Sequence, residues 1–201
     1  MSGGTLPAVP LRAQAVGGDD LAAVMLGADD LPSFTLAGDA SPPDVPDAVR
    51  EQHTRVFIAD GGETTLTLIL SAPHPDAVCL PRIRATIANG EVLAALNADR
   101  VGYQDWGALG VGEVDWAASW SDTTGDAHIG FTVSEDVFMR GELVVYLQAV
   151  SFGTPPAAAT LAGWARLQDQ RLLDAAADPA SAAGALARTE PPAPEDPTAC
   201  S

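Results

Sequence analysis

The stretch His53-Thr54-Arg55-Val56-Phe57-Ile58-Ala59-Asp60-Gly61-Gly62-Glu63-Thr64-Thr65-Leu66-Thr67-Leu68-Ile69-Leu70 decides the fold. Thr54, Val56 and Ile58 alternate with His53, Arg55 and Phe57, which is the two-residue period of a pleated strand. Asp60-Gly61 supplies a tight turn, and Leu66, Leu68 and Leu70 then alternate with Thr65, Thr67 and Ile69. Two such runs across such a turn predict an antiparallel β-hairpin.

Toward the C-terminus, residues 76–97 predict a helix in two pieces. Pro81 cannot sit inside a helix without breaking it, and Asn89-Gly90 stops one; Leu80, Ile83 and Ile87 form the apolar side. Val114, Trp116, Ala118 and Trp120 share one face of a strand over 113–121, opposite Glu113, Asp115 and Ser119. Ile129, Phe131 and Val133 open a strand that runs to Met139, Arg140-Gly141 turns it, and Leu143 to Val150 returns. Leu143-Val144-Val145-Tyr146-Leu147 is apolar on both faces, which predicts a central strand covered on both sides. Thr154 and Pro155 read as the cap and first position of a last helix. Its stripe is Leu161, Trp164, Ala165 and Leu172, with Arg166, Asp169 and Gln170 facing solvent.

Toward the N-terminus, Asp19 or Asp20 caps a short helix carrying Leu21, Val24 and Met25 and ending at Gly27. Phe34 to Ala37 predict a short strand, and 38–48 a loop. Together these elements predict an α+β domain, a mainly antiparallel sheet of about five to six strands with helices packed on it. Its expected extent is 19–176, between a disordered leader, 1–18, and a disordered acidic tail, 177–201, rich in proline and alanine. Within the leader, Leu11-Arg12-Ala13-Gln14-Ala15 ends in the small-x-small pattern of a secretory cleavage site.

The formal net charge is -17, and all ten basic residues are arginine. Such a field repels phosphate backbones and anionic head groups, so nucleic acid and anionic membranes are poor partners. No run of about 18 apolar residues predicts a transmembrane segment. Solubility, a GC-rich genome or a salty habitat accounts for the acidity. Cys79 lies in an apolar stretch and reads as a small buried hydrophobe, and Cys200, the penultimate residue, as incidental.

Gly107-Ala108-Leu109-Gly110-Val111-Gly112 looks like a phosphate loop but precedes a strand rather than a helix, so it reads as a connection. His53, His74 and His128 lack ligand spacing and read as isolated histidines. The acidic pairs Asp19-Asp20, Asp29-Asp30 and Glu135-Asp136 fall in no calcium-binding loop pattern, and no Gly-x-Ser-x-Gly elbow occurs. No catalytic, cofactor-binding or metal-binding residue, and no cofactor, is therefore expected. The tryptophans read first as core, while Tyr103 and Trp106, in the irregular segment 101–112, are the candidate surface anchors for a partner.

Several stretches carry a resemblance. They are Asp29-Asp30-Leu31-Pro32, the strand pair around Asp60-Gly61, Gly112-Glu113, Phe138-Met139-Arg140-Gly141-Glu142-Leu143-Val144-Val145, and Leu161-Ala162-Gly163-Trp164-Ala165-Arg166-Leu167. In this order they resemble bacterial exported domains of PsbP/Mog1-like fold, among them surface lipoproteins and sensor-type domains. The resemblance implies an antiparallel sheet sandwiched by helices, a place in the cell envelope or outside the cell, and a binding role for an unknown protein or small ligand. It carries over no site residues. A cytoplasmic location and a carboxylate-dependent hydrolase are the alternatives.

Overall fold

The computed structural model describes residues 18–42, 45–74, 77–122 and 130–188. The first seventeen residues, His128 and Ile129, and the tail from 189 with Cys200 lie outside them. In chain order the elements begin with α1 (Gly18–Ala23), a 3-10 turn (Ala28–Asp30), β1 (Phe34–Ala40), β2 (Val49–Ala59) and β3 (Thr64–Pro73). There follow α2 (Leu80–Ala88), α3 (Glu91–Leu96), β4 (Gln104–Gly107), β5 (Val114–Asp122), β6 (Phe131–Arg140), β7 (Leu143–Ser151), α4 (Ala158–Ala177) and α5 (Ala182–Ala187).

Among the described residues seven strands form one antiparallel sheet in the order β1-β2-β3-β7-β6-β5-β4. This α+β architecture is the expected one; β7 is central as its apolar run predicts, but it is fully covered on one face only, its second face being half-buried. The seventh strand, β4, lies within 101–112; four residues carry too little periodicity to announce a strand. Both outer strands break register, β1 between Leu36 and Gly38 and β4 between Asp105 and Gly107.

One face is covered by α1, α4 and α5. Leu21, Leu26, Leu161, Leu172 and Ala183 meet Phe57, Leu66, Leu68, Leu70, Val145 and Leu147 there. Each large side chain so buried stabilises the fold by roughly 1.5–3 kcal/mol. The polar backbone of the segment that follows α1 is satisfied from two other elements. Gln168 of α4 donates to Val24 O and accepts from Leu26 N–H, and Arg55 of β2 donates to Met25 O and Leu26 O. On the opposite face α2 and α3 bury Ile87 and Leu93 against Ala118, Val137 and Met139.

Several expectations are corrected. The last helix starts at Ala158 with Ala157 as its cap, not at Pro155 with Thr154 as its cap, because Thr154 and Pro155 each precede a proline and are driven out of helical geometry. Asp169 faces the sheet rather than solvent, where its carboxylate receives both Nε and Nη2 of Arg140 at 2.8 and 2.6 Å. Asp115 and Ser119 lie opposite the Trp116 face, as expected, and are buried because that is the face α4 covers. The packed chain also runs past residue 176. Ala183 and Ala187 of α5 reach the core, and Leu186 O accepts from Glu142 N–H at 2.7 Å. Gly141 makes that approach possible, because a Cβ there would stand 2.0 Å from Leu186 O.

Pro81 starts a helix instead of breaking one. It lies in the first turn of α2, where its missing N–H costs nothing. Cys79 is the half-buried N-cap of that helix, its sulfur accepting from Arg82 N–H at 3.4 Å, and it is disulfide-bonded. A cap position at the surface, not a strand interior, is why it is no buried hydrophobe.

Gly90 separates α2 from α3 at φ 71°, and its missing side chain is filled by the Trp116 indole, 2.5 Å from where a Cβ would stand. Gly90→Ala should therefore lower the free energy of unfolding by about 2 kcal/mol through strain and overpacking. Urea denaturation reads this directly, and an unchanged midpoint would show that the indole is free to move aside.

Candidate functional site

Alternation along β3 and β7 buries every second residue on the α4 side and leaves the others half exposed. The reason is uneven cover. On the second face α2 and α3 pack against β5 and β6. Across β2, β3 and β7 the same face presents Val56, Ile58, Thr65, Thr67, Ile69, Gln148 and Val150, with Ile58 41% exposed.

The step between the open and covered halves is held by Glu135, only 2% exposed. Its Oε1 accepts from Tyr146 O–H and from Gln148 Nε2 at 2.9 Å, and its Oε2 accepts from Asn97 Nδ2 at 2.6 Å. Three donors spread the buried charge, and burial followed by the Glu135 charge pushes the Tyr146 hydroxyl far above the ordinary phenol range. At the end of the open half beside β5, Trp120, Phe131 and Phe152 pack in sequence, edge-to-face and then tilted, with ring centroids 5.8 and 6.0 Å apart. Arg100 lies 4.4 Å over the Trp120 ring, and Phe152 is 55% exposed.

Tyr103 and Trp106 are not brought together. Tyr103 packs against the cluster of Ile87, Leu93 and Val137, and Trp106 against the cluster on the other face of the sheet. The Tyr103 hydroxyl is buried without a hydrogen-bond partner, and burial, then Asp105 and Glu135, raise its pKa. Both rings are half-buried. Single Tyr103→Ala and Trp106→Ala substitutions should each cost about 2 kcal/mol of stability, less than a fully buried ring loses. A thermal melt that moves by less than a degree would return them to the role of free anchors.

The α4 face carries a different feature. Asp136 on β6 is fully buried beside Asp115, and no hydrogen bond of normal geometry reaches either of its oxygens. Burial, then the Asp115 charge, raise its pKa to about 8, against weaker opposing pulls from Val137 N–H and Arg166. The folded chain thus keeps a proton that the unfolded chain releases near 3.8. The stability this contributes is complete below that value and is lost as pH rises through about 8. Asp136→Asn removes the titration. The variant should gain on the parent by up to ~1.4 kcal/mol for each pH unit between roughly pH 4 and pH 8, then run parallel to it. Urea unfolding of both proteins across this range checks the slope, and parallel curves throughout would refute it.

Among the described residues no three histidines, cysteines or acids converge to hold a metal ion. A hollow of about 590 Å³ beside α1 is lined mainly by small side chains, with Asp20 and Asp178 at its rim.

No protein-family model and no curated protein matches the sequence. Among solved structures the fold is similar to the extracellular domain of PknH from Mycobacterium tuberculosis, with a TM-score of 0.50 and 11% identity over 79% of this chain and 99% of that one. LpqN, involved in cell envelope biogenesis of the same organism, matches with a TM-score of 0.35 and 19% identity over 68% of this chain and 87% of that one. The likeness to the PknH domain is one of fold.

Proposed function

We propose that the protein is a non-catalytic binding module of the cell envelope or extracellular space, and that it engages its partner through the open half of its sheet. The observation that carries this reading is the uneven cover. Among the described residues, helices cover most of one face but only the β5–β6 side of the other, leaving Ile58 exposed and Ile69 and Val150 half-buried beside a rigid step at Glu135. The disulfide at Cys79 supports the location, because such bonds form and persist in oxidising compartments. The fold likeness to an extracellular domain supports it too, and the resemblance to exported domains of PsbP/Mog1-like fold implies the same location. Among the described residues no helix is long and apolar enough to cross a membrane. The carboxylate-dependent hydrolase is the weaker reading; Asp115 and Asp136, the adjacent acids on the α4 face, are both buried.

Site-specific photo-crosslinking in the native cell tests the proposal. A photoreactive amino acid replacing Ile58 should give a discrete adduct with one partner, and the same group replacing Leu173 on the far face of α4 should not. Equal labelling from both positions, or none from Ile58, would overturn the assignment of the surface.

A further inference from the structure

On the face of the sheet opposite the open half, the outer pair β1 and β2 places four polar side chains together. Asp39 pairs in register with Arg55, and Ala40 with Thr54, so that Ser41, just past the end of β1, stands beside His53. Ser41 Oγ lies 3.0 Å from His53 Nδ1, and His53 Nε2 meets Asp39 Oδ1. Arg55 holds the same carboxylate from Nε and Nη2 at 3.1 and 3.2 Å.

The protonation pattern follows from the partners. The hydrogen bonds from Arg55, then His53, lower the Asp39 pKa, so Asp39 is a carboxylate that only accepts. Nε2 must therefore carry the ring proton of the neutral imidazole, leaving Nδ1 bare to accept from the Ser41 hydroxyl. His53 is enclosed, with 7% of its side chain accessible, whereas Ser41 is exposed. An accessible hydroxyl, a shielded base and a fixed carboxylate behind that base are the groups that general-base activation of a serine requires.

We propose that Ser41 is an activated nucleophile that accepts an acyl group from an activated ester or thioester, with His53 as its base and Asp39 as the positioning residue. Ser41 Oγ attacks the carbonyl carbon as its proton passes to His53 Nδ1. The new C–O bond forms, the bond to the leaving alkoxide or thiolate breaks, and that group takes the proton back from His53. The chain is left as an acyl-serine with neutral imidazole. A phenolate or thiolate leaving group makes the least demand on the site, because it departs readily. This chemistry is independent of partner binding, which uses the other face.

The full chain is incubated with p-nitrophenyl acetate and, separately, with an alkyl fluorophosphonate, and the adducts are mapped by intact mass and peptide sequencing. We expect one adduct, on Ser41, absent in Ser41→Ala. It should form at least tenfold more slowly in His53→Gln and in Asp39→Asn, with folding checked by circular dichroism. Asp39 is partly exposed, so its variant serves if the buried histidine cannot be replaced. No adduct on Ser41, or a rate indifferent to both variants, would overturn the proposal.

Discussion

The fold depends on the pairing of β3 with β7. Two antiparallel meanders, β1 to β3 and β4 to β7, become one sheet only because Thr64 to Ser71 align with Ser151 to Val144. Leu66 then faces Ala149, Leu68 faces Leu147, and Leu70 faces Val145, which makes a continuous apolar strip beneath α4. A slip of one residue would turn every leucine of β3 to the other face and put threonine under the helix. The α4 side of the core, the seat of α1 and the docking of α5 all rest on that register.

Because the strip is apolar, the polar groups on the same face stand out. Arg140 with Asp169 and Gln168 with the end of α1 are fully partnered and fix how α4 lies on the sheet. Asp136 is the opposite case, a buried carboxyl whose neighbours do not satisfy it. The two kinds of group together explain why one helix both orients the fold and lies over its least comfortable side chain. A buried acid can be kept only as long as it stays protonated or the surrounding packing offsets its charge.

Much of this architecture is legible in the residues themselves. The leucines of β3 and the two-faced apolar run of β7 state their own periods, and Asn89-Gly90 marks the break between α2 and α3. The hidden parts have identifiable reasons. Gln104 to Gly107 is too short to show a period, and Ala182 to Ala187 is so alanine-rich that its buried face cannot be told from its exposed one. Tyr103 and Trp106 lie close in sequence yet pack on opposite faces, as residues of an edge strand do. The open half of the sheet was invisible because strand alternation predicts one buried face and is silent on how far a second layer extends. Asp39 and Ser41 share a period of two, as do His53 and Arg55, but the pairing appears only once β1 is seen to continue through Ala40, where the sequence predicts a loop.

The breaks of register in the two outer strands bear on how this chain behaves at high concentration. A sheet with a half-open face and, among the described residues, an unpaired outer side on both β1 and β4 is a template for lateral growth. At Leu36/Gly38 and at Asp105/Gly107 the row of N–H and C=O groups loses its even spacing, which makes either side a poorer partner for a second sheet. Growth by lateral addition is thus discouraged at both margins. What approaches this molecule productively must come down onto the broad face of the sheet, and the edges act as fences rather than as sockets.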